Sequence, residues 1–122
     1  KIVTTTSIGH NSSGGCKGHI LYENNSDKGG FFVCESTDTD GDKFFTQFSA
    51  TRGEKEAYGL QKFKIIAGTG KWTELVGQVC LGAWSQIRPL DKELKNASFL
   101  WNGKCEVPDA TLKRVKNYKK SQ

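Results

Sequence analysis

Three carboxylates alternate at Asp38, Asp40 and Asp42, the spacing with which a calcium loop begins to gather its oxygen ligands. The rest of that loop is missing. Counted from Asp38, the sixth position holds Lys43 where the sharp bend needs Gly, and the twelfth holds Ser49 where a bidentate Glu belongs. A turn built on aspartates fits these residues better than a bound ion. Gly68-Thr69-Gly70-Lys71 looks like the end of a phosphate-binding loop, but that motif needs Gly where Ile65 stands and Ser or Thr where Trp72 stands. His10 lies in a polar stretch, His19 falls on the outward side of a strand, and neither has an Asp or Ser at a spacing that would make a nucleophilic site. General acid–base work by paired carboxylates needs two inward-facing acids, and the pattern places none there. The expectation is therefore no metal, no cofactor and no assignable catalytic residue.

The cysteines carry the strongest chemical signal. Cys16, Cys34, Cys80 and Cys105 are an even number in a chain of 122 residues, with no C-x-x-C pair, and only His10 and His19 could complete a zinc site. Two disulfides in an oxidising compartment are expected. Of the three possible connectivities, Cys16–Cys34 with Cys80–Cys105 is preferred because each pair closes a local loop. The chain begins at Lys1 and contains no Met, as would follow removal of an export signal. Secreted or periplasmic localisation is expected. N-x-S sequons stand at Asn11, Asn24 and Asn96 and matter only in a eukaryotic source.

The elements that position these groups read as strands. The length suits one domain over residues 1–122, and 14 Gly with 2 Pro point to tight turns. β-Rich runs at 1–8, 18–23, 31–37, 42–51, 59–67, 76–84, 97–101 and 104–107 alternate with Gly, Asn and Asp signals. Residues 9–15 and 86–96 read as loops, the latter with a helical turn at 90–94. The fold class expected is all-β, an eight-stranded antiparallel β-barrel with a short C-terminal helix or tail. Pro108 suits the start of that helix, and Leu112 and Val115 share one of its faces.

Two hairpins can be placed. Asn102-Gly103 between short apolar runs is a strong turn signal. In the second, around Asp40-Gly41, a two-residue turn would put Glu35 on the face of Phe44 and Phe48. A type I turn from Asp38, with Gly41 left-handed as a bulge, instead aligns Phe32, Cys34, Ser36, Phe44, Thr46 and Phe48 and leaves Glu35, Lys43 and Gln47 outside. Burying an unpaired carboxylate costs several kcal/mol, so the bulged register is expected. Ile20, Tyr22, Phe63 and Ile65 then point inward.

The net charge is +5, but from Asp109 onward five cations face one acid, so the tail carries +4 and the body about +1. Residues 113–122 are expected to be a frayed basic tail. No basic patch interleaves with aromatics, so no nucleic acid is expected. No apolar run reaches the roughly 18 residues of a membrane-spanning helix.

One stretch resembles a known class. Cys34 to Phe45, with its D-x-D-G-D hairpin, followed by Ile66-Ala-Gly-Thr-Gly-Lys-Trp and Gly77, is similar to small exported bacterial β-barrels and to the G-G-T-G segment of allene oxide cyclase and dirigent barrels. Ala67 and Glu74 replace two glycines of that pattern. The resemblance implies a calycin-like barrel and transfers no catalytic residue. The function expected is binding of a small apolar or aromatic molecule in the lumen by Tyr22, Phe32, Phe44, Thr46, Phe48 and Phe63. The alternatives are a cyclase, isomerase or lyase using the same cavity with Tyr22 as acid, and a solid-core module that binds a protein or polyanion.

Overall fold

In the computed structural model, which describes residues 2–24, 26–50, 58–88 and 98–120, the β-branched and aromatic runs form seven strands. They are β1 (Ile2–Thr5), β2 (Asn11–Glu23), β3 (Ser26–Asp38), β4 (Lys43–Ala50), β5 (Tyr58–Gly68), β6 (Val79–Arg88) and β7 (Ser98–Cys105). Each pairs antiparallel with its neighbours in the chain, in the order β1 to β7. The sheet curls into a half-barrel whose edges are β1 and β7, and among the described residues no ladder joins them. A 3-10 helix at Gly70–Leu75 and helix α1 (Asp109–Lys116) plug one end. There Phe44, Ile65, Trp72, Leu75 and Val115 form the buried core.

The two strands expected at 97–101 and 104–107 are one among the described residues, because Asn102-Gly103 is not a turn. Neither residue takes a positive φ, which both central positions of a type I′ hairpin would require. They continue β7 instead, Asn102 opposite Ala83 and Gly103 opposite Gly82. The tertiary reason is Trp101. Its ring crosses β6, so a Cβ on Gly82 or Gly103 would lie 2.5 Å from it, and its Nε1–H donates to the Gln61 carbonyl on β5 at 3.3 Å. The glycines make room for an indole.

Other boundaries shift for similar reasons. The polar stretch 9–15 begins β2 at Asn11, because Ser13 pairs with Val3 on one side and Thr37 on the other. Ladders on both sides outweigh the weak strand preference of Ser and Gly. β3 starts at Ser26, and the reversal falls at Asn24, whose φ is 51°. Residues 70–75, which the sequence pattern leaves between the runs 59–67 and 76–84, are helical. The loop at 89–96 and its helical turn lie outside the described residues. At the C terminus α1 starts after Pro108 as expected, but the segment is docked where a frayed tail was anticipated. Val115 is 1% exposed, and Lys120 Nζ donates to the Asp40 carbonyl at 2.8 Å.

The β3–β4 hairpin has the bulged register. Ser36 opposes Phe44, Cys34 opposes Thr46 and Phe32 opposes Phe48. The Gly41 amide donates to the Asp38 carbonyl at 3.0 Å, and Gly41 has φ 80°. Glu35 is exposed on the other face and pairs with Lys43 at 2.5 Å. Exposed pairs contribute little, so Glu35→Gln should change unfolding free energy by less than about 0.5 kcal/mol in a denaturant titration. A loss of several times that would mean the pair is desolvated.

Both disulfides take the preferred pairing, Cys16–Cys34 and Cys80–Cys105, and among the described residues no cysteine is free. Each joins directly opposed positions of adjacent strands. Two such bonds indicate an oxidising, extracytoplasmic environment.

Candidate functional site

Alternation along the strands places one set of side chains on the concave face. Toward the plugged end they are buried: Phe44 packs against Trp72 with ring centroids 4.2 Å apart, and Thr46 is buried beside Ile65. Toward the other end the same face carries a row of aromatics. Phe48 and Phe63 are 4.9 Å apart, and Phe63 and Trp101 are 4.7 Å apart. Phe32 lies opposite Phe48, and Trp84 opposite Trp101. Phe32, Phe48, Phe63 and Trp101 remain half-buried although they face inward. Tilted aromatic pairs at these spacings gain about 0.5–1.5 kcal/mol each beyond their burial. They form a continuous, weakly polar platform across β3, β4, β5 and β7.

The six expected ligand residues therefore divide. Phe32, Phe48 and Phe63 are on the platform, Phe44 and Thr46 are sealed into the core, and the side chain of Tyr22 lies outside the described residues. Trp101 was missed, because reading Asn102-Gly103 as a turn broke β7 immediately after it; Trp84, opposite it on β6, is buried.

At the plugged end stands a polar cluster. Asp38 Oδ1 accepts the backbone amides of Asp40 and Asp42, both at 2.9 Å, so the carboxylate holds the turn together. Asp38 Oδ2 accepts the Trp72 indole N–H at 2.7 Å and faces Lys71 Nζ at 2.8 Å. Lys71 also reaches Asp40 Oδ2 at 2.6 Å, and its side chain is 1% exposed. The loop 68–71 makes this possible. Gly70 has φ 53°, and a Cβ there would lie 2.3 Å from Asp42 Oδ2, so only Gly lets the loop close against the aspartates.

Burial pushes the Asp38 carboxyl up, but hydrogen bonds from Lys71, Trp72 and the Asp42 backbone, with the Lys71 charge, outweigh it and hold Asp38 below its ordinary value. For Lys71, burial pushes the ammonium down, and its bonds to Asp38 and Asp40 overcome this and hold it above its ordinary value. Both groups stay charged. The expectation of no inward carboxylate is thus corrected for Asp38 and Asp42, both buried; Lys71 makes the burial of Asp38 tolerable, and Lys120 Nζ lies 3.3 Å from Asp42 Oδ1.

His10 Nδ1 or Nε2 and oxygens of Asp38 and Asp40 lie within 4.8 Å of one another. Lys71 already supplies the positive charge those carboxylates need, so the cluster works as an internal ion pair. His10 is half-buried with its ring edge toward Trp72 at 6.2 Å, whereas His19 is exposed and stacked on Phe31.

Fold and platform together define a disulfide-bonded, antiparallel half-barrel with an aromatic concave face and an ion-paired plug. No family model, curated protein or solved structure matches the chain.

Proposed function

We propose that the chain is a secreted binding module that holds a small, flat apolar or aromatic molecule on the platform of Phe32, Phe48, Phe63 and Trp101. The observation that carries this reading is the half-exposure of four aromatics on the inward face, where a solid core would cover them. Ligand sites are concave, mostly apolar and lined by aromatics with few polar groups, and the platform has that character. The charged groups nearest the concave interior are locked in the Asp38–Lys71 pair at the other end, which favours binding over acid–base turnover. Kinship with calycin-like exported barrels belongs to the same proposal. It is supported by the meeting of the two motifs behind it, D-x-D-G-D and G-T-G-K-W, at that ion pair.

The neutral fluorophore phenylnaphthylamine tests the reading. Its emission should rise on titration into the native protein, and Phe63→Ala/Trp101→Ala should weaken binding about tenfold, the loss of roughly one aromatic contact's free energy per residue. Equal enhancement by variant and wild type, with both folded by circular dichroism, would remove the platform as the site.

A further inference from the structure

The outer face of β5–β7 has a composition that ordinary solvent contact does not require. Leu60 is 75% exposed, Leu100 57%, Val79 48% and Leu81 47%. Lys62 opposes Leu81, and Leu81 opposes Lys104, so one cross-strand row reads Lys-Leu-Lys. Lys64 opposes Val79 in the next row. Along these strands the outward positions among the described residues include no acid, and Lys62, Lys64 and Lys104 have no ion pair with a described residue. Glu106, just beyond β7, is the acid nearest in sequence.

This face is wrong for another protein and for a second copy of the chain. Protein interfaces deplete lysine at their centres, and here lysines flank the central leucine. Self-docking would set ammonium against ammonium. An anionic bilayer accepts the same mixture. Leucines enter the boundary between headgroups and acyl chains, and lysine stems lie along the apolar layer with their charges among the headgroups. Each lysine near such a surface strengthens binding roughly fivefold.

We propose that the outer face of β5–β7 docks on an anionic lipid surface through Leu60, Leu81 and Leu100, with Lys62, Lys64 and Lys104 at the headgroups. The platform then faces away from the membrane, open to a ligand.

The test is co-sedimentation with phosphatidylcholine vesicles, with and without phosphatidylglycerol. The native protein should sediment only with the anionic vesicles. Lys62→Gln/Lys104→Gln should lower partitioning roughly thirtyfold, two lysines at about fivefold each. Leu60→Asn/Leu100→Asn should lower it roughly tenfold through lost apolar insertion. Lys113→Gln/Lys116→Gln, an equal change in net charge on α1, should have a much smaller effect. No binding to anionic vesicles overturns the proposal. So does an equal loss in the α1 variant, which would mean net charge alone. Unchanged binding of the leucine variant overturns it too, since that describes a polyanion site.

Discussion

Lys71→Met should destabilise the protein by roughly 3–5 kcal/mol, the cost of removing one partner from a buried ion pair. The side chain that remains, Asp38, is fully buried and would carry its charge with only the Trp72 indole and two backbone amides for support. Against a domain stability of about 5–15 kcal/mol, this is the largest effect expected of any single polar substitution here. Asp38→Asn should cost a similar amount. The double variant should cost clearly less than the sum, because neither change then strands a charge. The pH profile carries an independent signature. Asp38 titrates lower in the folded chain than in the unfolded one, so its contribution is present above about pH 4 and is lost as pH falls through the lowered value. Lys71 titrates higher when folded, so its contribution is complete below 10.5 and is lost as pH rises through the raised value. Stability should be level between those limits. In Lys71→Met the alkaline limb should vanish and the acid limb should move to higher pH, since burial then pushes on Asp38 less opposed. Urea titrations across pH would measure both. A Lys71→Met variant within about 0.5 kcal/mol of wild type would show that the ammonium contributes nothing.

Removing the Cys80–Cys105 bond as Cys80→Ala/Cys105→Ala should cost about 3 kcal/mol, as loop-closure entropy predicts for its span. The corresponding change at Cys16 and Cys34 should cost nearly as much on that ground, their separation being 18 residues against 25. Topology then separates the two. Each pair joins a buried cysteine, Cys80 at 0% and Cys34 at 3% exposed, to an exposed one, so both variants empty a buried site. The first also frees β7, which among the described residues pairs with β6 alone, whereas β2 and β3 are each paired on both sides. Thermal unfolding without reductant would rank the variants. Alkylation should add nothing to the native protein and four adducts after reduction. An equal cost for both pairs would mean that freeing the β7 edge adds nothing to chain entropy.

What could be read from the sequence was what local chemistry decides. The register of β3 and β4 follows from keeping Glu35 out of the apolar face, and the cysteine pairing follows from proximity along the chain. The start of α1 at Pro108 is a local signal of the same kind. What could not be read depended on partners distant in the chain. Asn102-Gly103 has the composition of a turn, and only the Trp101 ring lying across Gly82 explains why it is extended. Lys71 sits in a sequence that looks like a solvated turn, and its burial depends on aspartates some 31 residues earlier. The concave platform was half visible. Phe32, Phe48 and Phe63 follow from strand alternation, whereas Trp101 needs the whole of β7 to be in place.

The strictly sequential order of the strands bears on how the thiols find one another. Because each strand pairs with its neighbours in the chain, both native disulfides span short segments, 18 and 25 residues. The rival pairings would close pairs of segments of 64 and 71, or 89 and 46, residues. Loop-closure entropy alone then favours the native set roughly thirtyfold in a disordered chain. The meander thus biases oxidation toward the correct bonds before any strand has formed, without depending on an isomerase to correct the crosslinks.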